Sequence, residues 1–281
     1  MNTMRKLREY LNRPLSFAVF LLIIISTVIT ALTVVFIIGY IFIKGVPNLS
    51  LDLFSLKYSS SNQSMLPSII NTVYLTALTL LLSVPIGIFS AIYLAEYSRK
   101  NSFFVKIINI ANETLSGIPS IVYGLFGFLA FVISKKWGYS LLAGVITLAI
   151  MVLPLIIRTS QEAMLGVDNT FREASYGLGA GKLRTVFKIV LPSAMPGILS
   201  GIILAIGRIV GETAALIYTA GTVPEAATKL TSSSRTISVH LYCLLNEGLY
   251  TEQAYATAVV LIVFVVIINA LSNALAKKIM K

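Results

Sequence analysis

Apolar side chains fill six long runs of this chain, and the polar stretches between the runs are short. The runs lie at 15–43, 69–95, 107–133, 140–157, 193–220 and 255–275. A helix needs ~20 mostly apolar residues to cross the hydrocarbon core of a bilayer. The pattern therefore predicts an all-α polytopic membrane protein with six transmembrane helices.

The first and the fourth runs differ from the others. The first follows a charged start, as a secretory signal does, but it is longer than the ~7 to 15 apolar residues of a cleavable signal, so we expect a retained helix. The fourth has Pro154 near its end and Arg158 just after it, so we expect a short helix. The hydrophilic stretches are too short to bury a core of their own. Residues 1–281 are therefore predicted to form a single transmembrane domain.

The net positive charge of the chain bears on the class of partner that it is expected to bind. Of 281 residues, 57% are hydrophobic and 12% are charged, and 22 Lys and Arg against 11 Asp and Glu give a net charge of +11. In a soluble protein this excess would suggest binding to nucleic acid. If the N-terminus is cytoplasmic, however, most basic residues fall on the inner side of the membrane, as the positive-inside rule requires. Both termini are predicted to be cytoplasmic, and the partners expected from charge are anionic lipids rather than nucleic acid.

The basic residues divide unequally between the two sides of the membrane. The inner segments carry Arg5, Lys6, Arg8, Arg13, Arg99, Lys100, Lys106, Arg158, Arg172, Lys182, Arg184, Lys188, Lys277, Lys278 and Lys281. The outer segments carry Lys44, Lys57, Lys135, Lys136, Lys229 and Arg235. Arg208 lies inside the fifth run.

The cytoplasmic stretch 158–192 has helical apolar spacing on both sides of a glycine-rich break, which predicts a helix, a turn and a second helix. Asp168 or Asn169 can cap the first of these helices. Its apolar face is formed by Phe171, Ala174, Ser175 and Leu178. The glycines Gly177, Gly179 and Gly181 supply the backbone freedom that a sharp turn needs.

A specific motif lies in the same stretch. Glu173, Ala174 and Ser175 are followed after three residues by Gly179, and after nine more by Ile189, Val190, Leu191 and Pro192. This spacing resembles the EAA loop of binding-protein-dependent ABC importer permeases, with Ser175 where the pattern usually has a second alanine. The resemblance implies the type I ABC importer permease fold and coupling to an ATP-hydrolysing subunit. The coupling residues that it implies are Glu173, Ala174, Ser175, Gly179, Ile189, Leu191 and Pro192. The alternative is an amphipathic loop that lies on the lipid surface.

The glycine-rich turn is not a nucleotide site. Residues 177–182 read GLGAGK, but a phosphate-binding P-loop needs four residues between its glycines and a Ser or Thr after the lysine. No cofactor is therefore expected on this chain, and ATP with Mg²⁺ would have to bind to a separate ATPase.

Two charges lie inside the fifth run. Arg208 and Glu212 are four residues apart, which puts both on one helix face, so they can form an ion pair. One interpretation is a structural pair that fixes helix register. The other is that Arg208 lines an aqueous path and binds an oxyanion in a bidentate fork, while Glu212 neutralises the empty path and the adjacent Thr213 belongs to the same lining.

The third run contains an irregular segment. Gly117 and Pro119 are predicted to break the helix, and Ser116 and Ser120 can satisfy the backbone groups that the break frees. A broken helix at membrane depth usually lines a cavity, so Ser116 and Ser120 are candidates for a substrate path. The alternative is an ordinary proline kink. Glu113 is expected near the cytoplasmic interface.

Three segments together are similar to the phosphate ABC transporter permeases: GIPSIVYGLFG at 117–127, the loop at 173–192, and GRIVGET at 207–213. Overall likeness is greater to the PstA-type than to the PstC-type subunit. The resemblance implies an ATP-driven phosphate importer in a prokaryotic plasma membrane. Its other parts would be a PstC-type permease, two PstB-type ATPases that bind ATP and Mg²⁺, and an external PstS-type phosphate-binding protein.

Other functions stay open at this stage. A permease for molybdate, sulfate or phosphonate would differ mainly in its binding protein. An ion channel or secondary transporter would use Arg208 and Glu212 as a gate or proton relay. An intramembrane enzyme acting on lipid would need a nucleophile, a metal cluster or a carboxylate pair, and none is evident. His240 and Cys243 are too few for a structural zinc site and are expected in an outer segment, so neither catalytic nor metal-binding residues are predicted.

Overall fold

A computed structural model describes residues 14–99 and 102–279, and the regular structure of these residues is helical. The N-terminal basic residues Arg5, Lys6, Arg8 and Arg13, as well as Lys100 and Lys281, lie outside the described residues. The helices are α1 (Pro14–Gly45), α2 (Leu66–Tyr97), α3 (Phe103–Gly117), α4 (Ser120–Ser134), α5 (Leu141–Leu165), α6 (Asn169–Gly177), α7 (Lys182–Gly211), α8 (Ala214–Thr219), α9 (Ile237–Glu247) and α10 (Thr251–Ile279).

The six predicted spans correspond to five long helices and one bent pair. In the described part of the chain, α1, α2, α5, α7 and α10 are long and apolar enough to cross a membrane. The third run forms α3 and α4, which meet at an angle of 101°. The fold is therefore the predicted all-α polytopic class, with the third span bent sharply between α3 and α4.

The corner between α3 and α4 has a local cause. Ile118 and Pro119 have extended backbone with ψ angles of 130° and 142°, because the ring of a proline disfavours helical geometry at the residue before it. The hydroxyl of Tyr123 donates a hydrogen bond of 2.8 Å to the carbonyl oxygen of Leu115, across the break. Ser116, which we expected to serve the freed backbone, donates instead to Asn112 within α3.

The helix formed by the fourth run is longer than predicted. The helix α5 has 25 residues and continues past Pro154 and Arg158 to Leu165. Arg158 does not end the helix, because arginine is a good helix former. Its guanidinium also pairs with Glu162 one turn later, at 2.9 Å on an exposed face. The predicted loop 158–192 therefore begins inside α5 and ends inside α7.

The fifth run is interrupted near its end. The helix α7 stops at Gly211, because Glu212 has an extended ψ angle of 129°. A short helix, α8, starts at Ala214, with two residues between it and the end of α7. The prediction of one helix over 193–220 is wrong in this respect, and the break falls beside the charged residues.

The centre of the molecule is α5, which packs against α2 and α7. In its most apolar stretch 61% of the residues are buried, whereas none is buried in that of α1. Close approach of α7 to α5 depends on two glycines. An added Cβ at Gly197 would lie 2.6 Å from the Cβ of Ala163, and one at Gly201 would lie 2.6 Å from the Cβ of Thr159. Small residues at such crossings let helix backbones pack closely in a membrane.

The end of the bundle opposite α6, here called the far end, is closed by loops bound to α2. The side-chain amide of Asn71 donates to the carbonyl oxygens of Glu225 and Arg235 and accepts from the backbone N–H of Ala227. The loop before α9 is thereby fixed to the start of α2. His240, which we expected in an outer segment, lies in α9 and is fully buried at this end.

The environment of His240 gives a pH prediction. Burial, and next the positive charge of Arg235, lower the pKa of His240 to about 3, while a backbone hydrogen bond at Gln63 raises it slightly. An unfolded chain would protonate this side chain near pH 6.5. Between these values the unfolded state binds a proton that the native state does not, so stability falls as the pH drops from about 6.5 towards 3.

We expect the midpoint temperature of thermal unfolding in detergent to decrease for the native chain as the pH is lowered through this window. His240 is the only histidine of the sequence, so H240F, which keeps a ring against Tyr58, should flatten the curve between pH 7 and 5. An unchanged pH profile in H240F would contradict a neutral, buried His240.

Candidate functional site

The loop between α5 and α7 has the predicted form of helix, turn and helix. The carboxylate of Asp168 caps α6 by accepting a 2.9 Å hydrogen bond from the backbone N–H of Thr170. This hydrogen bond, followed by one from the Thr170 side chain, lowers the pKa of Asp168. Of the two capping candidates, Asp168 is the cap, and Asn169 is the first residue of the helix.

The turn after α6 depends on one glycine. Gly179 has a φ angle of +78°, a region that residues other than glycine rarely adopt, whereas Gly177 and Gly181 have no positive φ. Ser175 and Thr185 share a 2.8 Å hydrogen bond between their hydroxyls, across the turn. The serine that departs from the usual alanine therefore joins α6 to α7.

A groove lies beside this turn and is called here the docking groove. It has a volume of about 390 Å³ and is lined by Phe171, Ala174, Ser175, Leu178, Gly179, Ala180, Arg184 and Ile189. Its apolar side chains are exposed on this chain, since Leu178 is 89% exposed and Phe171 is 55% exposed. An exposed apolar groove is typical of a surface that binds another protein or lies against a membrane.

Four of the seven predicted coupling residues line the docking groove, namely Ala174, Ser175, Gly179 and Ile189. Glu173 is exposed on α6 beside it. Leu191 and Pro192 follow a wide, π-helical turn at Val186–Val190, in which the N–H of Leu191 bonds to the carbonyl oxygen of Val186. The motif therefore covers the groove and the turn of α7 that supports it.

Arg208 and Glu212 do not form the predicted ion pair. The prediction assumed a continuous helix, but α7 ends between the two residues. The carboxylate of Glu212 instead accepts a 3.1 Å hydrogen bond from the backbone N–H of Ala215, so it caps α8. In the described part of the chain, Arg208 takes part in no hydrogen bond or ion pair, and its side chain is half-buried.

The two helix breaks lie side by side. Gly124 of α4 approaches α8 so closely that an added Cβ would lie 2.8 Å from the Cα of Ala215. The positive charge of Arg208 acts on the Tyr123 hydroxyl. The hydrogen bond from this hydroxyl to Leu115 crosses the first break. The fold thus gathers Arg208, the 117–119 break and the 212–213 break in one region, although they are distant in sequence.

The remaining path candidates are arranged around these breaks. Ser120 begins α4, and Thr213 lies in the break before α8, with both side chains half-buried. Ser116 and Gly117 are exposed at the end of α3. Sequence reasoning missed Tyr123, whose signal was its place one helical turn after Pro119, where it can reach back over the break.

Three comparisons place this arrangement among known proteins. The family model described as "Binding-protein-dependent transport system inner membrane component" matches residues 83–281. The probable ABC transporter permease protein YqgI of Bacillus subtilis is 32% identical over 249 residues, which cover 82% of this chain and 84% of the relative. The phosphate transport system permease protein PstA of Haemophilus influenzae is 35% identical over 222 residues, covering 78% of each chain.

The same fold occurs in solved transporters. A chain of a bacterial ABC transporter that imports the acidic polysaccharide alginate superposes with a TM-score of 0.67 at 18% identity, covering 99% of this chain and 100% of that one. A chain of the MetNI methionine ABC transporter gives a TM-score of 0.58 at 17% identity, covering 76% and 94%. These likenesses show the fold of type I ABC importer permeases.

Proposed function

The chain belongs to the family of binding-protein-dependent transport system inner membrane components, and from this we propose that it is the transmembrane subunit of an ATP-driven importer of inorganic phosphate. The substrate is suggested by relatives of similar length that are named phosphate transport system permease protein PstA. Transport would proceed by alternating access, in which the spans open first to one side of the membrane and then to the other.

One observation supports phosphate at the level of chemistry. The guanidinium of Arg208 has no hydrogen-bonding or ion-pair partner among the described residues and lies beside two adjacent helix breaks. A charge at membrane depth is costly unless it has a partner or a purpose. A guanidinium matches the oxygens of a phosphate in a planar fork, so a passing oxyanion is a suitable partner.

The docking groove supports a proposal for the energy source. We expect α6 to act as a coupling helix that binds one of two PstB-type ATPases, which hold ATP and Mg²⁺. Closure of the ATPase pair on ATP would push α6 towards the membrane and reorient the spans. A PstC-type permease would complete the pore, and a PstS-type protein would deliver phosphate to the far end.

The orientation follows from the same assignment. If α6 meets a cytoplasmic ATPase, both chain termini are cytoplasmic and the far end is external. The basic residues of the predicted outer segments, among them Lys57, Lys229 and Arg235, would then lie on the external side, in agreement with the positive-inside count. The location is the plasma membrane of a prokaryote.

Uptake of labelled phosphate at low external concentration tests the proposal. A strain lacking this gene is complemented with the native chain, together with either an active ATPase or one that cannot hydrolyse ATP. We expect uptake only with the active ATPase, and only unlabelled phosphate should compete. Competition by molybdate, sulfate or a phosphonate instead would overturn the substrate, and uptake that follows membrane potential without ATP hydrolysis would overturn the importer mechanism.

A further inference from the structure

The guanidinium of Arg172, in the first turns of α6, has every donor in use. Its Nε and Nη2 atoms donate to Oε1 of Glu96 at 3.1 and 2.7 Å. Nη2 also donates to the carbonyl oxygen of Met164 at 2.8 Å, and Nη1 donates to the carbonyl oxygen of Val167 at 2.7 Å and to Oδ1 of Asn169 at 3.3 Å. Five donors thus bind acceptors on α2, on α5, on the loop after α5 and on α6 itself.

This pair differs from the other ion pair in the described residues. The side chains of Arg172 and Glu96 are only 13% and 7% exposed, whereas those of Arg158 and Glu162 are 58% and 63% exposed. Water screens an exposed pair, which contributes little to structure. A buried pair holds its geometry, because separating its members leaves a charge without a partner in a dry site.

The pair connects parts of the chain that are distant in sequence. α5 leads directly into α6 and α7 follows it, but Glu96 is 76 residues away from Arg172, at the end of α2. A second contact lies beside the first, since the ammonium of Lys182 at the start of α7 is 4.9 Å from the centre of the Tyr97 ring. The end of α2 is therefore bound to both arms of the loop that carries the docking groove.

The segment of α2 that makes these contacts is itself irregular. Residues Tyr93–Tyr97 form a π-helical turn that contains both Glu96 and Tyr97. Just before it, Ala91 and Ile92 pack into a buried cluster with Met164 of α5 and with Val186 and Val190 of α7. A contiguous packed network of this kind can carry a displacement from one helix to another.

From this geometry we infer that Arg172 is a positioning residue that makes α6 and the adjacent ends of α2 and α5 a single mechanical unit. A displacement of α6 by its ATPase then reaches α2 directly, and not only the two helices joined to α6 in sequence. The inference rests on the proposed coupling function of α6. It does not depend on which substrate is carried.

The first readout is the coupling of ATP hydrolysis to transport in the assembled complex, reconstituted in vesicles. R172Q removes the charge and most of the donors, and R172K keeps the charge without the fork. We expect R172Q to copurify with the ATPase but to transport about threefold to thirtyfold less phosphate per ATP hydrolysed, with R172K in between. The matched control R158Q, at the exposed pair, should keep the native ratio. A native ratio in R172Q would overturn the inference.

The second readout is a distance and does not require phosphate. Cys243 is the only cysteine, so after C243S spin labels can be placed on exposed residues at Tyr93 of α2 and Thr170 of α6. We expect the distance between the labels to stay constant when ATP binds to the native complex and to change in R172Q. A distance that changes in the native complex would overturn the inference, and a constant distance in R172Q would do so as well. If native complexes transport another anion while the distance result holds, the substrate proposal fails and the role of Arg172 stands.

Discussion

R208Q is expected to reduce phosphate uptake at least about tenfold, because hydrogen bonds to a charged group contribute ~1.5 to 3 kcal/mol each. Arg208 contacts no described residue through a hydrogen bond or ion pair, so its replacement leaves no buried partner without its bond. The loss should therefore appear in transport and not in folding. Uptake of labelled phosphate and copurification with the ATPase measure the two effects separately.

R208K is the control for this substitution. It keeps the positive charge but replaces the planar fork by a single ammonium, so uptake should fall less than in R208Q. If R208Q transports phosphate at the native rate, Arg208 has no part in the substrate path. The alternative role of Arg208, a structural ion pair with Glu212, is not available to it, because the Glu212 carboxylate is bound to the backbone N–H of Ala215.

The second large effect is expected at Gly179. Replacement by valine forces a β-branched residue into a backbone with φ of +78°, at a cost of ~1 to 2 kcal/mol. An added Cβ meets no atom of this chain within 4 Å, so the new side chain projects into open space at the edge of the docking groove that Gly179 lines, where a bound ATPase would meet it. G179V should reduce copurification of the ATPase at least about tenfold, since ~1.4 kcal/mol corresponds to that factor, and uptake should fall in parallel.

Two further variants separate backbone strain from obstruction of the groove. Gly138 has a φ angle of +66° and open space around it, in the loop between α4 and α5, far from the groove. G138V therefore repeats the strain alone and should retain the ATPase. G179N tolerates the left-handed backbone but still adds bulk, so it should behave like G179V. Normal assembly of G179V would contradict a close approach of the ATPase at this turn.

The spans and the form of the loop around Gly179 could be read from the sequence because both are local signals. Long apolar runs reveal helices through length and hydropathy alone, and the bend at Pro119 follows from the chemistry of a single residue. The helix, turn and helix around Gly179 depend on capping and glycine, which act within a few residues. These expectations needed no knowledge of the rest of the fold.

The errors came from assuming that local patterns continue. The predicted ion pair of Arg208 with Glu212 required an unbroken helix. No proline lies close enough in sequence to indicate the break at Glu212. The short length assigned to α5 treated Arg158 as an end, although arginine is a good helix former and α5 continues to Leu165.

Long-range contacts could not be derived at all. Glu96 is the only acidic residue between Asp52 and Glu113, which marks it as unusual, but nothing in its surroundings indicates Arg172 as its partner. The same holds for Asn71, whose partners lie more than a hundred and fifty positions away, with separations of 154 and 164 residues to Glu225 and Arg235. Such pairs are set by how helices pack, and helix packing is a property of the whole bundle.

The contrast in burial between α1 and the other spans has a consequence for biosynthesis. Because no part of the most apolar stretch of α1 is buried in the bundle, this helix is stable in lipid by itself and can leave the translocon before the rest of the chain exists. α8 has six residues, too few to cross a bilayer, and α4 packs against it at Gly124. These two segments can reach their final positions only after their neighbours are in place. We therefore expect insertion to begin with an autonomous anchor and to end with cooperative closure around the two breaks.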